Sequence, residues 1–288
     1  MAFSFIQLAD PQFGMYASLS GTDNPSFDRL ADLGMNITKV PKTTGFQYET
    51  ARYEMAIAAA NKLDPEFVIT CGDMCNDKEN PSDEYTELMR ITGTLSKTIP
   101  MYWVAGNHDV TNQPTPESLS RYRKLYGDDV YSFDREDSHF VVINSTVCQD
   151  PSLVWNEWER QVEFLTSDLR EARGNGSRHM VVFTHHPPFL TFLDEDDSWL
   201  VIPKKRRRVL VDLFVKYGVS HVFSGHWHRN HYSYFRKLQI VATSSVGYPL
   251  GGDPSGFRIV NVYDDRIEHE FFALGSPPEN IEQAYKFG

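Results

Sequence analysis

Short apolar runs recur along this chain and leave few folds open to it. They are Phe3 to Ala9, Phe67 to Cys71, Met101 to Ala105, Phe140 to Asn144, Met180 to Thr184 and Val219 to Ser224. Each is too short for a core helix, so each reads as a buried strand. Helical patterns lie between several of them, at Tyr48 to Lys62, Asp83 to Lys97, Trp155 to Arg173 and Lys204 to Tyr217. Buried strands flanked by helices predict an α/β layout. Beyond Trp227 the pattern changes. Gln239 to Ser244, Phe257 to Tyr263 and Arg266 to Phe272 alternate in polarity, with Gly251-Gly252 and Asp264-Asp265 between them. These predict antiparallel strands and hairpins. No linker, repeat or low-complexity stretch interrupts the chain, so one domain is expected over residues 1–288.

The residues just past the strand ends carry the chemistry. The run from Phe3 leads into Asp10-Pro11-Gln12, and the second into Gly72-Asp73. The third leads into Gly106-Asn107-His108-Asp109. Later runs end in His185-His186-Pro187 and Gly225-His226-Trp227-His228. A lone Asp at a strand end is ordinarily a turn or cap residue. Five strand ends carrying carboxylate, amide and imidazole together are not explained that way. In open α/β sheets this edge is where ligands bind. Glycine before Asp73, Asn107 and His226 lets the backbone turn sharply and approach a ligand closely. Hard oxygen donors mixed with imidazole suit Mn, Fe or Zn rather than Ca. No CxxC pair is present, which excludes a structural zinc cluster.

Taken in order, Asp-x-Gln, Gly-Asp, Gly-Asn-His-Asp, His-x-Pro and Gly-His-x-His resemble the calcineurin-like metallophosphoesterases. The likeness continues past the motifs into "SSVGYPLGGDPSGFRIV" and so covers nearly the whole chain. It implies a four-layer αββα sandwich in which two mixed sheets pack face to face, with a two-metal site at the loop edge. The implied ligands are Asp73 as the bridge, Asp10, Gln12 and His228 on one ion, and Asn107, His185 and His226 on the other. His185 matches the motif because it stands two residues before Pro187. His186 is then expected to support the site.

The resemblance also implies a reaction. Two divalent ions about 3.5–4 Å apart clamp a phosphate and acidify a water for in-line attack. Mn, Fe, Zn and Mg all remain open as their identity. His108 matches the family's catalytic histidine, stabilising the transition state or protonating the leaving oxygen. In the protein phosphatases, an Asp three residues after the bridging Asp orients that histidine. Here the position is Asn76. Purple acid phosphatases place Tyr there, so a purple ferric centre is not expected. Gln12 stands where the family pattern has His or Gln, so the amide reads as a subfamily feature. An amide oxygen is the weaker donor at a transition-metal site, so its ion should bind less tightly.

Charge and cysteine content bound the rest. The chain has 28 Lys and Arg against 39 Asp and Glu, a net charge of −11. That balance argues against non-specific nucleic-acid binding, whose affinity comes from cations on phosphates. No apolar window is long enough to span a membrane, and no basic leader precedes the first run. Three cysteines, Cys71, Cys75 and Cys148, suit a reducing, cytoplasmic setting and read as packing residues. "DEDDSW" at Asp194 to Trp199 reads as a solvated acidic loop or as a rim that shapes access. "PKKRRRV" at Pro203 to Val209 reads as a helix start or as an import signal. A monomer acting on a phosphorylated substrate, phosphoprotein included, is the resulting expectation. A phosphodiesterase acting on cyclic or other nucleotides and a metal-free scaffold are the alternatives.

Overall fold

The computed structural model of the protein describes residues 3–21 and 23–281. In chain order the first half holds β1 (Phe3–Leu8), α1 (Met15–Ser18), α2 (Ser26–Asp32), α3 (Gln47–Leu63), β2 (Val68–Cys71), α4 (Ser82–Thr92), β3 (Met101–Val104), α5 (Pro116–Tyr126), β4 (Tyr131–Arg135) and β5 (Ser138–Val142). The second half holds α6 (Ser145–Gln149), α7 (Trp155–Gly174), β6 (His179–Phe183), α8 (Lys204–Tyr217), β7 (His221–Ser224), β8 (His231–Phe235), β9 (Leu238–Ala242), β10 (Gly256–Val262) and β11 (Ile267–Ala273).

The strands form two sheets, ordered β11-β10-β1-β2-β3 and β4-β5-β6-β7-β9-β8. Both are mixed. The pairs β1–β2, β2–β3, β5–β6, β6–β7 and β7–β9 are parallel, and β1–β10, β10–β11, β4–β5 and β8–β9 are antiparallel. Each parallel pair needs a crossover, which helices supply for every pair except β7–β9, where strand β8 makes the connection.

Side-chain alternation decides what each face buries. Phe3 and Phe5 of β1 join Phe67 and Ile69 in one cluster with Phe140, Phe183 and Phe223 of the other sheet. Ile6 and Leu8 share a second cluster with Tyr53, Ala56 and Ala60 of α3. Phe5 is the hinge of the inter-sheet core. Its ring stacks on Phe67 at 4.6 Å and meets Phe140 and Phe183 edge-on at 5.6 Å. Burying such a ring contributes about 1.5–3 kcal/mol. The helices flank this double layer, α3 packing on α4 and α7 on α8. Two mixed sheets face to face with flanking helices is the architecture that the motif resemblance implies.

Several elements differ from the sequence reading. The helix expected over 83–97 stops at Thr92, where Gly93 ends it. Strands β4 and β8 went unread because they are edge strands, with sequences YSFDR and HYSYF that bury little. Helix α5 went unread although Thr115 and Ser118 form a capping box before it. The segment 239–244 pairs antiparallel with β8, as expected, but also parallel with β7. Among the described residues, no helix is long and apolar enough to cross a membrane.

Candidate metal centre

The turns after β1, β2, β3, β6 and β7 meet at one edge of the double sheet. Asp10, Gln12, Asp73, Asn107, His185, His226 and His228 are all buried there. Their backbones are unusual. Asp10, Gln12, Asp73, His226 and His228 have φ of 49°, 38°, 50°, 64° and 52°. Such left-handed turns at non-glycine residues cost about 1–3 kcal/mol each and persist only where the surroundings impose them. Here they do. Asp10 N donates to Gly72 O at 3.2 Å, Gln12 N to Asp73 O at 2.9 Å, and Ser245 Oγ to Asp10 O at 2.7 Å. Two glycines make the approach possible. Gly72 has φ 84°, and a Cβ on it would lie 2.3 Å from His185 Nδ1. A Cβ on Gly106 would lie 2.2 Å from Asp73 N.

Each imidazole is locked by a backbone carbonyl. His185 Nδ1 donates to Cys71 O at 2.9 Å, His226 Nε2 to Trp199 O at 3.0 Å and His228 Nδ1 to Tyr248 O at 2.6 Å. In the neutral imidazole the opposite nitrogen of each ring therefore presents a lone pair to the site, the arrangement by which ligating histidines are oriented. His185 Nε2 lies 3.0 Å from Asn107 Oδ1, 3.1 Å from His226 Nδ1 and 3.3 Å from Asp73 Oδ2. Asn107 Nδ2 is committed to Asn112 Oδ1 at 2.9 Å, so its oxygen faces inward. The ligand atoms of Asp73, His185 and His226 lie within 4.8 Å of one another. Nearby, His228 Nε2 is 3.3 Å from Asp10 Oδ1.

Acceptors facing acceptors in a buried site fit a bound cation. Gln12 makes the same point. Its Nε2 donates to Asn76 Oδ1 at 3.2 Å, while its buried Oε1 has no hydrogen-bond partner. A buried amide oxygen without a partner is costly unless something positive meets it. The electrostatics agree. Burial opposes a charge on His185, but the carboxylates of Asp73 and Asp10 outweigh it and push its pKa up to about 9. Burial and His185 hold His226 well below its ordinary value. Without a cation the carboxylates draw a proton to the site, and a metal would displace it.

His108 is placed differently from the ligand candidates. It is half-buried and lines a cavity of about 470 Å³ with Gln12, Asn76, Asn107, His186 and Trp199. Its backbone N–H donates to Asp73 Oδ1 at 2.7 Å. Its Nδ1 lies 2.7 Å from Asn76 O. The carbonyl of Asn76 thus orients the ring where an Asp side chain was the family expectation. Asn76 serves twice, since its side chain also holds Gln12. His186 pairs with Ser145 Oγ at 2.9 Å and packs its ring 4.1 Å from that of His226, a supporting position.

Three contributors were not read from the sequence. Asp109 accepts backbone N–H groups of Asp73, Met74 and Gly106 at 2.8, 3.0 and 2.8 Å, tying two motif turns together. Burial and the neighbouring Asp73 push its pKa up to about 8. Its place in Gly-Asn-His-Asp was the available signal. Asn112 and the carbonyl of Trp199 carried no signal at all.

The acidic and basic runs explain each other. Arg207 is fully buried and donates to the carbonyls of Ile202, Leu193 and Glu195 at 2.8, 2.8 and 2.9 Å. Arg208 pairs with Asp194, and Arg206 donates to the carbonyls of Cys148 and Gln149. The start of α8 therefore straps down the loop that delivers Trp199 O to His226. The run starts a helix, as one of its two readings held, but not the solvated start expected, because Arg207 is buried and Arg206 and Arg208 bind neighbouring segments.

Comparison with known proteins agrees with this geometry. The family model described as calcineurin-like phosphoesterase matches residues 5–230. The protein named serine/threonine-protein phosphatase CPPED1 from Bos taurus is 35% identical over 277 residues, covering 94% of this chain and 84% of its own. Its namesake from Homo sapiens is 34% identical over 278 residues, with the same coverage. In fold, the chain is similar to a dimetal phosphatase from Danio rerio, with a TM-score of 0.67 and 14% identity over 95% of this chain and 96% of that one. A match across most of the chain, on residues that fold into one acceptor-lined cluster, places this protein in the calcineurin-like phosphoesterase family, hydrolases of phosphoric esters.

Proposed function

We propose that this chain is a phosphomonoesterase of the serine/threonine protein phosphatase type, acting as one domain through two divalent cations. The observation that carries this reading is the set of buried acceptors facing one another, Gln12 Oε1 included. The names of the relatives support the substrate class. Asp73 would stand between the cations. Asp10, Gln12 and His228 would hold one, and Asn107, His185 and His226 the other. Bound there, the cations supply Lewis-acid activation of water and neutralise phosphate charge.

The chain's own residues do the rest. The carbonyls of Cys71, Trp199 and Tyr248 hold the imidazoles in the ligating tautomer. Asn76 O accepts from His108 Nδ1, which leaves Nε2 for the leaving oxygen; only the imidazolium has a proton to give there, a form that burial opposes and the Asp73 carboxylate favours. The three cysteines are free and buried, which supports a reducing, cytoplasmic setting.

The test is a panel of para-nitrophenyl phosphate, its bis ester and a phosphoserine peptide, each with Mn or Mg. Metal-dependent phosphate release from the peptide and the monoester, with slower turnover of the diester, is expected. Preference for the diester would establish a phosphodiesterase instead. No turnover, with no metal bound, would leave a scaffold.

A further inference from the structure

Among the described residues, the cavity above the candidate centre has no carboxylate in its lining, although the chain as a whole carries a net charge of −11. Fixed positive charge enters the lining twice, from Arg29 and from Lys78. Arg29 is exposed and stands among Leu30, Leu33 and Leu19 on the outer wall. Lys78 is half-buried and shares its part of the wall with Asn76, Asn107 and His108.

Lys78 is held in place. Its Nζ donates to Asn112 Oδ1 at 2.8 Å, the oxygen that also accepts from Asn107 Nδ2 at 2.9 Å. One amide oxygen therefore positions both a ligand candidate and a cation. The loop beneath is pinned on both sides. Glu84 accepts from Asn76 N and Asp77 N at 2.7 and 2.9 Å. Asp77 accepts from Glu79 N and Asn80 N, both at 2.9 Å. Arg121 donates to the carbonyls of Lys78 and Glu79. Among the described residues no carboxylate comes within 4.0 Å of the Lys78 ammonium. Burial lowers the Lys78 pKa from its ordinary value, and the acid that opposes this is Asp73, the candidate bridge between cations. An ammonium spends one of its three protons on Asn112 and keeps two to donate.

We propose that Lys78 takes up a phosphoryl oxygen of the substrate, and so selects phosphomonoester dianions over phosphodiester monoanions. This deepens the phosphatase reading above and rests on it. The physical reason is charge. A phosphomonoester carries about −1.5 to −2 near neutral pH, since its second pKa is about 6. A diester carries a single negative charge. A fixed, partly desolvated ammonium rewards the extra charge, and it need not reorganise as charge spreads over the phosphoryl oxygens.

The experiment uses the Mn-loaded full chain with Lys78→Met and Lys78→Arg. Calorimetry at about pH 8 measures binding of inorganic phosphate, mainly the dianion there, and of dimethyl phosphate, a monoanion. Kinetics compare para-nitrophenyl phosphate with its bis ester, and elemental analysis counts bound Mn. Lys78→Met should weaken inorganic phosphate about tenfold and lower kcat/KM on the monoester by about 10²-fold. Dimethyl phosphate binding and diester turnover should stay within about 3-fold. Lys78→Arg should recover most of the loss, because the charge is kept. Equal losses on both ligand types, no loss on either, or loss of Mn from Lys78→Met would overturn the proposal. Failure of the phosphatase reading is separate, because it shows in the unaltered protein as an absence of turnover on every ester.

Discussion

The two halves of the candidate centre are built to different standards. On the side of Asn107, His185 and His226, His185 Nε2 lies 3.0 Å from Asn107 Oδ1 and 3.1 Å from His226 Nδ1, and each of the three side chains is braced by a carbonyl or by Asn112. On the side of Asp10, Gln12 and His228, one imidazole faces one carboxylate at 3.3 Å. The third donor there is an amide held only by Asn76. Imidazole donors braced from behind should hold a transition-metal ion more firmly than an amide braced by another amide. Gln in place of His at position 12 is therefore not an isolated change. Asn76, at the position where the resemblance to the protein phosphatases implied Asp, is the residue that accepts from Gln12 Nε2 and leaves the amide oxygen free of a partner.

The largest expected effect removes the element common to both halves. Asp73→Asn should lower kcat by at least about 10²–10³-fold, as for loss of a main electrostatic stabiliser, and should reduce bound metal at both positions. Retention of two tightly held ions would break the assignment of Asp73 as the bridge.

His108→Ala should come next, with kcat down by about 10²–10⁴-fold and metal content unchanged. The loss should be smaller on para-nitrophenyl phosphate, whose leaving group hardly needs a proton, than on phosphoserine. Equal losses would point to charge stabilisation instead, and lost metal would refute the role.

Asn76→Ala sharpens the comparison itself. Freeing the Gln12 amide should weaken one ion by about 10–100-fold, as for other residues that orient ligands, and leave the other alone. Mn titration followed by electron paramagnetic resonance resolves the two. A uniform weakening would mean that the halves are not independent. Gln12→His should act in the opposite sense and more mildly, raising or holding activity at limiting Mn. Unchanged metal affinity would show that Gln12 is not a ligand.

The smallest effect concerns pH. Glu84 braces Asn76 N, and its Oε1 lies where a Cβ on Gly14 would stand, 2.1 Å away. Burial pushes its pKa up to about 7, from an ordinary value of 4.5. A carboxyl with a raised folded-state pKa favours folding most below the unfolded value, and that contribution is lost as pH rises through about 7. Glu84→Gln should therefore raise Tm relative to the unaltered protein at pH 8 and change it little at pH 5. An equal shift at both would show that the carboxyl is not desolvated.

Much of the fold could be read from the sequence because its central strands are buried. Phe5, Phe140 and Phe183 sit in apolar runs whose length and bounds leave little choice. The edge strands β4 and β8 could not be read this way. Half-exposed Tyr131 and exposed Asp134 and Tyr234 leave no uninterrupted apolar run. The split is similar at the site. The turns that gather Asp10, Asp73, Asn107, His185 and His226 follow short motifs, because a left-handed or glycine-preceded turn is a local event. What supports those turns is distant in the chain. Asn112 reaches Asn107 and Lys78, Trp199 O reaches His226, and Arg207 holds the loop that carries Trp199.

The order of the strand-end motifs by itself determined the family and the residues that could ligate, since local turn geometry and donor chemistry are written in adjacent positions. Which nitrogen of each imidazole faces inward, which oxygen of Gln12 is left without a partner, and where Lys78 stands were decided only by the tertiary structure. Each depends on a hydrogen-bond partner brought close by folding. Gln12 meets Asn76 across 64 positions and His185 meets Cys71 across 114, separations over which a sequence carries no geometric information.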